Sequence, residues 1–292
     1  MRYLILSITA LLLAALPAAA ADVLIVQSNH SSALDQMTRI VQNDCSSNHR
    51  TLVLSDYADA DIARLVREER PSVVVAIGDR ALAEARKIRR VPVVYGMTLN
   101  TSEEILADNV SGVGMAVSPD SYMKLFSALK LRRIGVIHDR MKTGAYMNRA
   151  RAAAQRIGIE LVILQVRSAK EIPQKLSGLN RKTVDAIWLI PDTTAITPET
   201  VDSYFTVAQE NDLPVIGFSP AYLSKGALAS VELTRQELGK QLCDKIKKSR
   251  SDKGSGTTDP ARGKLLFNDS VARRLGIGIP TSRIATELLP DE

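Results

Sequence analysis

Short apolar runs alternate along this chain with longer stretches that carry apolar residues at helical spacing. The runs are rich in Val and Ile and barely alternate with polar residues, which is how parallel strands buried on both faces read. Four of them occur in the first half: Val23–His30, Thr51–Ser55, Val73–Asp79 and Val91–Met97. Four more follow in the same order: Ile134–Asp139, Glu160–Gln165, Asp185–Asp192 and Leu213–Ser219. The offset is roughly 110 to 120 residues, too long for a solenoid repeat and about right for one small domain.

Between the runs, amphipathic segments predict helices near 32–43, 56–69, 81–88, 143–157, 169–176 and 198–211. Strands alternating with helices predict an α/β protein with doubly wound parallel sheets. Ser118-Pro119-Asp120 is a helix start, with a capping hydroxyl, a proline and then an acid facing the dipole. It opens a helix at 122–131 and marks the passage into the second repeat. A strand at 227–231 and a long helix at 235–248 follow. The polar stretch 249–263 reads as an exposed loop, and Lys264–Asn268 with Ser270–Leu275 closes the fold.

The first 21 residues follow a different pattern. Arg2, an apolar run from Leu4 to Leu16, Pro17 and an alanine string describe a cleaved export signal, shorter than the ~20 apolar residues of a membrane span. The expected product is a periplasmic protein that does not span the membrane. Lys and Arg total 38 against 32 Asp and Glu, a net charge of +6. The basic residues are scattered and not interleaved with aromatics, so a nucleic-acid partner is not expected. Cys45 and Cys243 are the two cysteines. Their spacing excludes a zinc ribbon or a C-x-x-C pair, while an oxidising compartment permits either a disulfide or two separate thiols.

No nucleophile elbow, Walker loop or H-E-x-x-H motif is present, and Gly276–Pro280 lacks dinucleotide spacing and reads as a terminal turn. No cofactor is expected and no catalytic residue is assigned. His30 and His138 fall at equivalent places in the two repeats, but neither has the neighbouring ligands of a metal site. Ligands of α/β sheets bind at the carboxyl ends of the strands. Those ends carry Ser28-Asn29-His30, Gly78-Asp79, Met97-Thr98, His138-Asp139, Pro191-Asp192-Thr193 and Phe218-Ser219. Helix N-termini there suit an anion, and Asp139 and Asp192 suit an ammonium group. Each Ser, Thr or Asp taken singly also reads as a helix cap. As a set lining two repeated sheets, they predict a ligand cleft between two lobes. Tyr95, Tyr146, Phe218 and Tyr222 are candidates for an aromatic wall, and Trp188, inside a strand run, is assigned to the core.

Seven stretches in order resemble one family: Val73–Ala85, Val91–Met97, Asn109–Met115, Val184–Asp192, Leu213–Leu233, Glu237–Ile246 and Leu265–Pro280. The chain resembles the periplasmic substrate-binding proteins of ABC importers, in the branch of tryptophan- and tyrosine-type amino-acid binders. The resemblance implies a type I periplasmic-binding fold whose two lobes close about a multi-crossover hinge. The first lobe would comprise 22–117 plus 232–292, and the second 118–231. It implies a monomer that takes a small molecule, an amino acid or a similar small carboxylate or amine, and hands it to a membrane permease. A periplasmic module partnering a membrane sensor is the alternative, and a small-molecule hydrolase a more distant one. Asp192 matches the family's acidic strand-end position, which implies pairing with a ligand ammonium. Met97-Thr98-Leu99-Asn100 stands where the family carries Asp-Pro, and the Gly-Phe usual after the first loop is missing.

Overall fold

The computed structural model describes residues 22–45, 48–98, 107–251 and 258–279. The expected export segment, Leu99-Asn100 and Pro280 lie outside them.

The chain opens with β1 (Val23–Gln27), α1 (Ser32–Ile40), β2 (His49–Val53), α2 (Ile62–Glu69), β3 (Val73–Ile77), α3 (Asp79–Ala85), β4 (Val93–Gly96) and β5 (Val110–Val117). It continues through α4 (Pro119–Ala128), β6 (Arg133–Asp139), α5 (Arg140–Ile157), β7 (Glu160–Val166), α6 (Ile172–Leu176), β8 (Ala186–Trp188), α7 (Val201–Glu210), β9 (Val215–Gly217), α8 (Ala221–Ser224) and β10 (Ala229–Glu232). It ends with α9 (Arg235–Ser251), β11 (Thr258–Ala261), β12 (Lys264–Phe267) and α10 (Asp269–Leu275).

These strands form two sheets wound alike, β11-β5-β4-β3-β1-β2 and β12-β10-β9-β8-β6-β7. The first sheet is parallel throughout; in the second only β12 runs antiparallel, against β10. The residues of β1 and β3 are all buried, because helices cover both faces of the sheet. Tyr95 on β4 fits because Gly112 on the neighbouring strand leaves room; a Cβ there would fall 2.5 Å from its ring. The second core is built around Trp188, which is 1% exposed. Its ring packs against Tyr122, Phe126 and Tyr146 at centroid distances of 4.9, 5.6 and 5.9 Å.

Two expectations are corrected. The stretch 249–263 is not all loop: α9 runs to Ser251, and 258–261 forms an edge strand beside β5. Residues 264–275 do not return to the first lobe. β12 pairs with β10, and Val271 and Ala272 of α10 join the core of the second sheet.

Among the described residues the chain therefore passes between sheets three times, at 117–118, 232–235 and 261–264. Ser118 caps the helix at the first passage, accepting from the Asp120 N–H at 3.2 Å. All three passages converge on Gly263. A Cβ there would lie 2.3 Å from Val231 Cγ1 and 2.9 Å from Val117 Cγ2, so a side chain would wedge the crossovers apart. Leu238, Leu242 and Ile246 of α9 enter the core of the first sheet, and Gly239 lets the helix approach Ile40. There Cys243 forms a disulfide with Cys45, with a Cα–Cα distance of 4.9 Å. That resolves the choice left open by the spacing of the two residues.

Candidate functional site

In the second lobe the strand ends are tied together by one carboxylate. Asp192 is 2% exposed. Its Oδ2 accepts from the Asp139 N–H at 2.8 Å and from the Thr143 hydroxyl at 2.7 Å. Its Oδ1 accepts from the N–H groups of Thr194 and Ala195, both at 2.9 Å. A carboxylate has about four lone-pair sites, and here all four face internal donors. Asp192 therefore joins the β6 and β8 loops, which leaves the expected ammonium pairing no lone pair to use.

Asp139 has a similar task. It caps α5 through the Met141 N–H at 2.9 Å and accepts from the Thr194 hydroxyl at 2.8 Å. Those donors, the Met141 N–H foremost, hold its carboxyl below the usual carboxylate range. His138 is 2% exposed and shares a hydrogen bond between Nδ1 and Thr143 Oγ1 at 3.1 Å. Burial lowers its pKa by disfavouring the imidazolium, and Nε2 has no hydrogen-bond partner among the described residues.

The first lobe solves the same joining problem with a neutral group. Ser28 Oγ accepts from the Ala81 N–H at 2.9 Å and donates to the Ile77 carbonyl at 3.2 Å, so the end of β1 caps α3. Gly78 has φ +92°, and a Cβ there would fall 2.6 Å from Ser28 Oγ; only glycine suits both demands. Asn29 and Asp79 are exposed at this rim. His30 is exposed and lies 3.1 Å from Asp56 and 3.5 Å from Asp35. Its bond to Asp56 raises its pKa. Met97 holds a left-handed φ of +58°, an uncommon conformation for a side chain of its size. The Thr98 hydroxyl beside it is buried without a partner among the described residues.

A pocket of about 220 Å³ opens where the crossovers meet the second lobe. One wall is Tyr122, Tyr146, Pro191, Phe218, Ser219 and Pro220; the other is Met115–Val117 and Val231–Leu233. Tyr146 is fixed by its hydroxyl, which donates to the Val117 carbonyl at 3.0 Å, and burial carries its pKa well above the ordinary tyrosine value. Phe218 meets Tyr222 edge-on at 5.2 Å.

Of the residues read from the sequence, Tyr146, Pro191, Phe218 and Ser219 line this pocket. His138, Asp139 and Asp192 form the network behind its loops, and Thr193 is exposed at their rim. Ser28, Asn29, His30, Gly78, Asp79, Met97 and Thr98 belong to the strand ends of the first lobe and are not part of the pocket wall. Tyr95 is fully buried in the first core. Glu232, Tyr122 and Met115 line the pocket without having been singled out; an acid directly after the apolar run 227–231 was the visible signal. Among the described residues, no group of three or more His, Cys, Asp or Glu is placed to hold a metal ion, and no helix is long and apolar enough to cross a membrane.

Two similarly wound α/β lobes, three crossovers and a pocket at their junction define a protein of the type I periplasmic-binding class. The chain belongs to the family of ABC transporter substrate binding proteins, which it matches over residues 40–287. Members of this family bind small-molecule substrates rather than transform them.

A tyrosine-binding protein of Clostridioides difficile is 27% identical over 135 residues, 45% of this chain. The match spans 38% of that relative's length. Among solved structures, a ligand-free, open substrate binding protein with adhesive properties from Clostridium difficile is similar. It has a TM-score of 0.62 and 20% identity, covering 89% of this chain and 96% of that one. An ABC domain in complex with L-Trp from Streptococcus pneumonia has a TM-score of 0.54 and 20% identity, covering 92% and 98%. These two likenesses establish the fold.

Proposed function

We propose that this chain is exported through Met1–Ala21 and works in the periplasm as a monomer. It captures a small molecule, an amino acid or a similar small carboxylate or amine, between its lobes and delivers it to the permease of an ABC importer. The pocket at the crossovers carries the reading. A ligand seated against Tyr122, Tyr146 and Phe218 touches one lobe in the open state and gains contacts with the other only on closure. It therefore shifts the population toward the closed shape by its differential affinity for that shape. The permease reads the closed shape, and no covalent chemistry is needed. The tyrosine-binding relative and the L-Trp complex favour an aromatic amino acid or a similar molecule.

Mass spectrometry of small molecules released from natively purified protein tests this. The expected result is one dominant compound, released unmodified and absent after Phe218→Ala. A compound converted to product during incubation would instead point to an enzyme.

A further inference from the structure

We propose that Glu232 is the residue that receives the ligand's charged nitrogen, so that the ligand is a protonated amine on an aromatic body. This rests on the reading of the cleft as the ligand site. Glu232 ends β10 and lines the pocket with Tyr122, Tyr146 and Phe218. It is the one charged side chain among the described residues of that wall; Lys, Arg and His are absent from it.

Glu232 is also uncommitted. It forms no ion pair and no side-chain hydrogen bond among the described residues. Lys264 stands directly opposite in the β10–β12 ladder, yet no ion pair joins them. Glu237, the next acid along the chain, lies 4.0 Å from Lys240 and 3.8 Å from Arg262. Asp192, as shown, has all four acceptor sites filled. A half-buried carboxylate without a counter-ion carries a desolvation cost, and an incoming cation offsets it. The Phe218 ring also favours a cation over its face; the Tyr146 ring already carries the Arg149 guanidinium, 5.9 Å from its centroid. A ligand whose only charge is a carboxylate would meet repulsion from Glu232 and no compensating base in this wall. Glu232 is also the first residue of the second crossover, so a cation held there bears on the segment that must bend for the lobes to close.

Calorimetry with three matched probes tests the assignment. Tyramine carries the amine alone, L-tyrosine both groups, and 3-(4-hydroxyphenyl)propionate the carboxylate alone. The amine-bearing probes should bind the wild-type protein and the deaminated one should not. Glu232→Gln should weaken the amine-bearing probes at least tenfold without lowering Tm, since the carboxylate has no partner to lose among the described residues. Equal binding of the propionate, silence of all three probes, or an unchanged Kd in Glu232→Gln overturns the assignment. Phe218→Ala separates the two levels. Weakened binding there, with Glu232→Gln unchanged, keeps the cleft and removes the amine; no effect from either variant removes the cleft itself.

Discussion

His30 and His138 each sit one residue before the N-cap of the helix that follows the first strand of their sheet, Ser31 and Asp139 respectively. One is exposed between two carboxylates, with its pKa raised; the other is buried against Thr143, with its pKa lowered. The repeated chain path is thus shared by the lobes while the chemistry of their cleft faces is not. The first lobe presents a wet, charged rim. The second presents loops locked from behind by Asp192 and a mostly apolar wall in front. On the proposed function, a ligand's apolar body would sit against the second lobe and closure would bring the rim of the first lobe over it.

The largest expected difference between the lobes comes from the disulfide, which ties α9 to the first lobe across a sequence separation of 198 residues. In the chain-entropy account a loop of that length contributes about 5 kcal/mol. Reduction, or Cys45→Ser with Cys243→Ser, should lower the denaturant midpoint of the first lobe and spare the second. Equal loss in both lobes would break the comparison.

The next largest effect concerns the strand-end ties. Asp192→Asn turns one acceptor oxygen into a donor facing the Asp139 N–H and the Thr143 hydroxyl, and should cost about 3 kcal/mol. Ser28→Ala, its counterpart, removes a single cap and should cost about 1 kcal/mol. Urea unfolding of the two variants checks the order; a reversed order would mean the second-lobe network is not the stronger tie.

The smallest effect is in pH dependence, and its sign should differ between the histidines. The folded-state pKa of His138 is depressed, so its contribution to stability is present above the unfolded value of about 6.5 and is lost as pH falls below it. The folded-state pKa of His30 is raised, so its contribution is present below about 6.5 and is lost as pH rises through the folded pKa. In thermal melts across pH 5 to 8, His138→Gln should flatten the acid-side loss. His30→Gln should remove a slope of the opposite sign. Slopes of the same sign would contradict the contrast.

Much of the fold was legible because its strands are apolar runs rich in Val and Ile, such as 73–77 and 134–137, and because the second set repeats the first. β11 was missed because Thr-Asp-Pro-Ala has no apolar run; it is an edge strand, where proline and polar residues are tolerated. α10 was misplaced because its few apolar residues do not say which sheet they will cover. At the site, the sequence located the strand ends but not the direction in which their side chains are used. Asp192 and Glu232 are both acids at the ends of apolar runs. Only the three-dimensional arrangement of N–H groups around Asp192, and their absence around Glu232 among the described residues, tells a structural carboxylate from an open one. The disulfide was undecidable for a similar reason, since a sequence separation of 198 says nothing about which faces meet.

The central claim is that ligand held at the crossovers closes the two lobes. Small-angle scattering with and without saturating ligand, the compound released from the native protein or the probe that binds by calorimetry, tests it most directly. The account predicts a smaller radius of gyration on binding, with protection from proteolysis at 117–118, 232–235 and 261–264, because the buried ligand gains its second set of contacts only in the closed state. A scattering curve unchanged by ligand at saturation would contradict it.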